Sequence, residues 1–301
     1  MAGGRAGGLP FVAAPVGDLD VARRAAAQVA DERALPAPVL VRAGMNAIFR
    51  SGDVVLRVGR TTVDPALGIE LAIRLRSAGV PVPRPASHTA TTVDGLSITA
   101  WEHIEAIPTP IDWVAVGRIV RSVHELLPGD LPAGYPLPAP SGLPWWDFDR
   151  MLTDAADRID REALAGLTAA VERHRGWAEM ADLVVCHGDV HPGNVVTTAA
   201  GPVLLDWDLM CTAAPGWDHA MLLTLEERWG GAIGTYAAFS AGYGRSLAGD
   251  PETMAFAELR NVAATLLRIQ AGRTDPAAAE EAARRLRYWR GEPGAPVWHA
   301  Q

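Results

Sequence analysis

Lysine is absent from the 301-residue sequence, so all 27 of its basic side chains are arginine. Any role that proteins usually give to lysine must therefore be filled by a guanidinium, which is permanently charged and presents a planar fork of donors. Cysteine is scarce as well, since Cys186 and Cys211 are the only two. They are too few for a disulfide framework and form no CxxC metal-binding pattern, so a reducing, cytoplasmic location is expected.

Long apolar runs and an excess of positive charge are also missing. No segment approaches the roughly 18 consecutive apolar residues of a membrane span. The formal net charge is −8, whereas a nucleic-acid-binding protein is expected to carry a concentration of basic residues. We therefore expect no membrane and no nucleic-acid partner, while an acidic surface suits a small cationic ligand. Prolines interrupt residues 1–17, which make a poor signal peptide and are predicted to be disordered.

The pattern of apolar residues predicts a small mixed unit at the start of the chain. Helical periodicity at 18–35 begins at a capping aspartate, and 65–80 shows a second helical stripe that is ended by prolines. Between them, alternating apolar and polar residues interrupted by turn signals predict three short antiparallel strands within 38–58.

Helical periodicity dominates after residue 106, apart from a strand–loop–hairpin insert at 183–208. The sequence therefore predicts an α+β protein of two lobes. A small lobe with an antiparallel sheet occupies 1–100, and a larger, mostly helical lobe occupies 107–301. Residues 101–106 form the hinge, and the cleft between the lobes is the expected ligand site.

The insert carries the segments CHGDVHPGNVV and LLDWD, and two β-type runs flank a three-residue turn at 199–201. If residues 198 and 202 pair across this turn, Asn194 lies directly opposite Asp206, with Cβ atoms about 4.5 to 5.5 Å apart. A carboxamide oxygen beside a carboxylate oxygen suits Mg²⁺, which prefers hard ligands and keeps part of its hydration shell.

Asp189 lies five residues before Asn194, on the loop that precedes the hairpin. With a reference pKa of about 3.9, an aspartate is ionised at neutral pH and able to accept a hydroxyl proton. The segment therefore predicts a carboxylate that orients an acceptor beside a metal that bridges phosphates. A polar β-turn without chemistry is the alternative interpretation.

HGDVHPGN followed by LLDWD resembles the catalytic and metal-binding motifs of the aminoglycoside phosphotransferase family, which has a bilobal protein-kinase-like fold. In that fold the N-lobe is a small antiparallel sheet with one helix, and the larger C-lobe is mostly helical. The resemblance implies that Asp189 is catalytic and that Asn194 and Asp206 bind Mg²⁺. It further implies that ATP, with GTP as an alternative, donates its γ-phosphate to a small-molecule hydroxyl acceptor.

Two flanking segments are similar to supporting parts of that family. APGWDHAML contains Asp218, in the position of the aspartate that buttresses the catalytic loop, and VGRIVRSVHEL contains His124, in the position of the family's LxxLH histidine. His187 is predicted to brace the loop by hydrogen bonding. The part played by His191 is open, and Asp208 is either a second metal neighbour or a surface residue.

The hairpin AGMNAIF and the strand VVLRV resemble the family's nucleotide-binding elements. Gly44 and Asn46 lie in the hairpin that would cover the phosphates. Arg57 stands where the family has a lysine, and Glu70 is its predicted ion-pair partner. Arginine keeps the positive charge that phosphate oxygens require, although its geometry differs.

The segment ITAWEHIEA resembles the hinge of the family, where the adenine would bond to the Glu102 carbonyl and the Ile104 N–H. The acceptor is open, because family members phosphorylate aminoglycosides, macrolides, other antibiotics, amino alcohols, sugars and homoserine. Four aspartates within 147–157 either line a pocket for a cationic acceptor or form a solvated helix face. A monomer and a homodimer are both compatible with the sequence.

Two other functions compete with this interpretation. GDVH also resembles the metal-binding opening of metallophosphoesterases, but that class needs further ligands, and only two histidines, His219 and His299, follow residue 191. A pseudokinase would bind nucleotide without turnover. The intact catalytic and metal-binding set opposes it, while Arg57 and the single glycine of the hairpin favour it.

Overall fold

A computed structural model describes residues 8–299, and its N-terminal part is a five-stranded antiparallel sheet with the order β1-β2-β3-β5-β4. The three strands predicted within 38–58 are confirmed. The elements of this part are α1 (Leu19–Glu32), β1 (Val39–Ala43), β2 (Ala47–Ser51), β3 (Val54–Gly59), α2 (Ala66–Ser77), β4 (Thr91–Val93) and β5 (Leu96–Glu102).

Helix α1 covers one face of this sheet. It begins after Asp18, whose carboxylate accepts the N–H of Asp20 at 2.8 Å and so satisfies one of the free donors of the first turn. Its buried face consists of small residues, Ala22, Ala25, Ala26, Val29 and Ala30. These side chains share a core with Phe49, Leu56 and Ile98 of the sheet. The small residues let the helix approach the strands closely.

Phe11, Val12 and Val16 are buried, which contradicts the predicted disorder for the segment around them. Phe11 is buried, and its ring stacks on that of Tyr135 in the C-terminal part, with centroids 5.2 Å apart. The Phe11 N–H donates to the Asp208 carbonyl at 3.3 Å, and the Phe11 carbonyl accepts the Thr62 N–H at 2.9 Å. The prediction failed because an apolar residue among prolines and glycines has no local partner. Residues 1–7 lie outside the described residues.

The C-terminal part is mostly helical, as predicted, and within residues 8–299 no helix is both long and apolar enough to cross a bilayer. Its elements are α3 (Trp113–His124), α4 (Phe148–Ala155), α5 (Arg161–Arg173), β6 (Val184–Cys186), β7 (Val195–Thr198), β8 (Gly201–Leu204), β9 (Cys211–Ala213), α6 (Gly216–Trp229), α7 (Thr235–Tyr243), α8 (Pro251–Ala271) and α9 (Pro276–Trp289). Helices α6 and α8 share a core around Trp217 and Phe256. This core lies next to β6 and β9, the strands that lead into and out of the candidate site.

Helix α7 packs against α3 through two glycines. A Cβ atom on Gly117 would lie 2.1 Å from the Phe239 carbonyl oxygen, and one on Gly242 would lie 1.9 Å from the Val114 carbonyl oxygen. Close approach of two backbones therefore shapes this contact.

Candidate active site

The β7–β8 hairpin differs from the predicted register by one residue. Thr198 pairs with Gly201, so the turn contains two residues instead of three, and Asn194 lies opposite Leu205, whose N–H donates to the Asn194 carbonyl at 2.8 Å. Gly201 permits the tighter turn because it adopts a φ of +112°. Asp206 follows the strand with a φ of +60°. Its side-chain direction is therefore set by this local turn and not by the strand register.

Asp189 is held by groups on both of its carboxylate oxygens. Asn194 donates from Nδ2 to the Asp189 carbonyl at 2.9 Å and to Oδ2 at 3.1 Å. His191 Nε2 lies 3.4 Å from Oδ2, and Arg260 Nη1 lies 3.7 Å from Oδ1. Because the Asn194 nitrogen is engaged by Asp189, the amide oxygen is the atom that Asn194 can offer to a cation.

The environment of Asp189 favours its ionised form. Burial by itself would raise the pKa of Asp189, but the charge and hydrogen bond of His191 and the charge of Arg260 outweigh it and hold the pKa well below the usual range. His191 Nδ1 accepts the Gly193 N–H at 3.1 Å, so in the neutral imidazole the ring proton is on Nε2, which faces Asp189. At neutral pH Asp189 is therefore an ionised carboxylate that can accept a hydrogen bond.

A second cluster of charges lies at the end of β8. The Arg57 guanidinium contacts Asp208 Oδ2 and lies 3.3 Å from Asp206 Oδ1. Asn46 donates from Nδ2 to the same oxygen of Asp208 at 2.9 Å. Asp208 is buried, which excludes the alternative that it is a surface residue. Partial desolvation in the cleft raises the pKa of Asp206, whose side chain is 40% exposed; the negative charges of Asp208 and Asp189 add to this, while Arg57 opposes it.

Glu70 pairs with Arg74, not with Arg57 as predicted. Arg74 Nη2 lies 2.6 Å from Glu70 Oε1, one turn further along α2, and both side chains are partly exposed. Arg57 lies on β3 and reaches the two aspartates of the LLDWD segment instead. The prediction did not consider that Glu70 has an arginine at i+4 on its own helix, where such a pair forms without any tertiary contact.

The remaining residues predicted to bind nucleotide lie around the sheet and the hinge. Gly44 closes the β1–β2 turn, where its N–H donates to the Asn46 carbonyl at 3.0 Å. Glu102 ends β5, and its N–H donates to the Arg84 carbonyl at 2.8 Å. Ile104 follows in the segment that leads to α3.

Asp218 anchors the loop that contains His187 and Gly188 to α6. Its Oδ1 accepts the Gly188 N–H at 2.8 Å, and its Oδ2 accepts the His187 N–H at 2.8 Å and lies 3.1 Å from His124 Nε2. Burial would raise the pKa of Asp218, but these hydrogen bonds and the nearby histidines lower it. The carboxylate is 1% exposed, so its charge is balanced by these donors and not by water.

His187 ties the same loop to the hairpin. Burial lowers the pKa of His187, so the ring is neutral. Its Nδ1 accepts the Asp189 N–H at 3.2 Å, and its Nε2 lies 2.9 Å from the Leu205 carbonyl. The proton is therefore on Nε2, which donates to that carbonyl.

Arg260 on α8 is a residue that the sequence prediction missed. It lies 3.7 Å from Asp189 and donates to the Gly188 carbonyl at 2.7 Å. A signal was present in the sequence, because its neighbours at i±3 and i±4 are alanines and a phenylalanine. An arginine among apolar neighbours on a helix is expected to find a tertiary partner.

A cavity of about 410 Å³ lies between α4 and the end of α5. Its lining includes Trp146, Trp177, Asp147 and Asp149. The other two aspartates of 147–157 are exposed beside arginines. Asp147 and Asp149 are exposed as well, so the solvated-face interpretation fits all four residues, and the pocket interpretation fits only these two.

Fold and site together define a kinase-like protein, with Asp189, Asn194 and Asp206 carried by the helical lobe beneath an antiparallel sheet. Residues 47–257 match the Phosphotransferase enzyme family, and the chain belongs to that family.

One curated relative is the aminoglycoside 3'-phosphotransferase of Streptomyces fradiae, which is 30% identical over 135 residues. The match covers 40% of this chain and 48% of the relative, so the chain spans about half the length of the curated relative it matches.

Solved structures extend the likeness to almost the whole chain. An amicoumacin kinase in complex with AMP-PNP, Ca²⁺ and Ami has a TM-score of 0.67 at 13% identity, covering 93% of this chain and 98% of that chain. A GDP complex of an aminoglycoside 2'-phosphotransferase mutant has a TM-score of 0.66 at 14% identity, covering 89% and 97%. These likenesses establish the protein-kinase-like fold.

Proposed function

We propose that the chain transfers the γ-phosphoryl group of ATP to a hydroxyl group of a small molecule, with Asp189 orienting that hydroxyl. The restraint on the Asp189 carboxylate is the observation that carries this proposal. One oxygen faces Asn194 and His191, and the other faces Arg260. An acceptor would therefore meet an ionised oxygen in a defined direction. Phosphoryl transfer depends mainly on such positioning, because its transition state is loose.

Asn194 and Asp206 are the proposed ligands of Mg²⁺. The donor set fits a hard divalent cation, because Asn194 has its amide oxygen to offer and the partly exposed carboxylate of Asp206 lies near Asp208 and Arg57. An ion held by these two residues would supply positive charge to neutralise phosphate oxygens. Asp208 holds Arg57 in place beside this pair. We therefore propose that Asp208, and not Glu70, supports Arg57.

Arg57 is the proposed partner of the α- and β-phosphates, with Gly44 and Asn46 covering them from the β1–β2 hairpin. The adenine is proposed to bond to the Glu102 carbonyl and the Ile104 N–H. ATP is the proposed donor, supported by the AMP-PNP complex among the structural neighbours, and GTP is the alternative, supported by the GDP complex.

The proposed acceptor is an aminoglycoside or another antibiotic with a free hydroxyl, in line with the relatives named above. The cavity beside α4 supports an acceptor of this size, since ligand pockets commonly measure about 300 to 1,000 Å³. Asp147 and Asp149 would face a cationic group there. The cavity borders Trp146, whose ring centroid lies 5.8 Å from the Arg260 guanidinium carbon, and Arg260 in turn borders Asp189. Amino alcohols, sugars and homoserine are the alternative acceptors.

A pseudokinase is the second candidate, and one observation favours it. Arg57 already has two carboxylate partners, Asp206 and Asp208. In a protein that binds nucleotide without turnover, these ion pairs would persist and compete with both phosphate and metal. In a kinase, they would rearrange when nucleotide and metal bind.

The proposal is tested by measuring the release of ADP from Mg²⁺-ATP and of GDP from Mg²⁺-GTP. Each nucleotide is assayed with a panel of aminoglycosides, macrolides, amino alcohols and sugars as acceptors. We expect at least one acceptor to stimulate release, and Asp189→Asn to lower kcat by about 10²- to 10⁴-fold while nucleotide still binds. Nucleotide binding is measured as a shift in melting temperature. If nucleotide binds but no acceptor or water stimulates release, the pseudokinase is supported. An unchanged kcat in Asp189→Asn removes that residue from the mechanism.

A further inference from the structure

We propose that Arg260 is a positioning residue that sets the direction of the Asp189 carboxylate by clamping the peptide unit before it. This inference rests on the proposed function, since it concerns the same carboxylate. Arg260 lies on α8, 71 positions later in the chain than Asp189.

The clamp acts on Gly188, the residue directly before Asp189. The Gly188 N–H donates to Asp218 Oδ1 at 2.8 Å, and its carbonyl accepts from Arg260 Nη2 at 2.7 Å. An acidic group and a basic group thus hold the two polar atoms of one residue. Hydrogen bonds to charged groups are stronger than neutral ones, so both peptide groups that flank the Gly188 Cα atom are held firmly.

Gly188 is a position where such a clamp is needed. Its φ is +92°, a region that favours glycine, and a Cβ atom here would lie 1.9 Å from the Leu209 carbonyl oxygen. A glycine is the residue with the greatest conformational freedom, so without partners it would let Asp189 turn. The charged partners remove this freedom while keeping the backbone conformation that the close contact demands.

Arg260 is itself held by aromatic rings. Its guanidinium carbon lies 4.6 Å from the centroid of the Trp217 ring and 5.8 Å from that of Trp146, distances that allow a cation–π attraction. Trp217 is adjacent to Asp218 on α6, so the same turn of helix supports both sides of the clamp. The charge on Arg260 thereby stays beside Asp189 Oδ1, 3.7 Å away.

The test compares Arg260→Gln and Arg260→Lys with Arg118→Gln, which changes an exposed arginine on α3. ADP release from Mg²⁺-ATP is measured with water as acceptor and with the acceptor found in the panel, and kcat is counted per nucleotide-binding site. If a variant is partly unfolded, the number of nucleotide-binding sites falls, but kcat counted per site does not. We expect Arg260→Gln to lower kcat by about 10- to 100-fold, with the KM for ATP within about twofold of wild type. Arg260→Lys should recover part of the loss, because it restores the charge without the fork.

A double variant separates this inference from the proposed function. In the Asp189→Asn background, Arg260→Gln should have almost no further effect on kcat, because the group that it positions is gone. A kcat within about threefold of wild type in Arg260→Gln, or an additive loss in the double variant, overturns the positioning role. If the wild type releases no ADP, or if Asp189→Asn is as active as the wild type, the proposed function itself fails.

Discussion

Replacing Asp218 by asparagine should destabilise the chain far more than a change of one charge on its surface. The carboxylate accepts from two backbone N–H groups and from His124 while only 1% exposed. Asparagine keeps one acceptor oxygen and turns an amide N–H₂ toward one of these donors. Hydrogen bonds to charged groups contribute about 1.5 to 3 kcal/mol each, so the loss should be about 2 to 5 kcal/mol. That is a large part of a typical unfolding free energy of about 5 to 15 kcal/mol.

Urea unfolding followed by circular dichroism measures this loss, with Asp31→Asn on the exposed face of α1 as the matched control. The control should unfold at the wild-type midpoint. A loss below about 1 kcal/mol in Asp218→Asn, with an unchanged m-value, would refute the reasoning. It would mean that the loop N–H groups find other partners or water.

The pH dependence of stability gives a second measure of the hydrogen bonds that Asp218 accepts. The pKa of Asp218 is lower in the folded chain than its ordinary value. Its ionised form therefore stabilises the fold fully above the unfolded pKa of about 4, and this contribution is lost as the pH falls below that value through the folded pKa. The stability difference between wild type and Asp218→Asn should be constant near neutral pH and shrink in acid. A gap that stays constant down to pH values well below about 4 would contradict the assignment.

Two further substitutions test the packing that positions the site. Phe11→Ala removes a buried ring that joins the lobes and should lower the unfolding free energy by about 3 to 5 kcal/mol. Leu9→Ala, at an exposed position, should change the unfolding free energy little. Equal urea midpoints for the two variants would show that the segment does not pack as described. Gly242→Ala places a Cβ atom 1.9 Å from the Val114 carbonyl oxygen and should cost about 1 to 3 kcal/mol by forcing α3 and α7 apart. Gly129→Ala, with nothing within 4 Å of the added atom, is its control, and matching melting curves would refute the close helix contact.

The sequence by itself determined the parts of the site that depend on short stretches of chain. The separation of five residues between Asp189 and Asn194 is short enough for a single loop to bring the Asn194 amide within 3.1 Å of the Asp189 carboxylate. Strand alternation, helical periodicity and an aspartate cap at the start of α1 are equally local, because each follows from backbone geometry over a few residues. These features were predictable without any knowledge of packing.

Local sequence did not determine the register of the β7–β8 hairpin. The register depended on whether Gly201 belongs to the turn or to the strand, and the sequence is compatible with both. A positive φ at Gly201 decided it. Because strand side chains alternate in direction, an error of one residue also changes which side chains face each other.

Tertiary structure decided which charged groups meet. Arg57 and Asp208 are separated by 151 positions, and Asp189 and Arg260 by 71. The prediction of Glu70 as the partner of Arg57 was wrong because an ion pair depends on which side chains the packed lobes bring within about 4 Å, and several carboxylates were available. Phe11 was missed for the same reason, since its partner Tyr135 lies in the other lobe. Periodicity and motifs specify the conformation of nearby residues, whereas the contacts between distant ones exist only once helices and strands have packed.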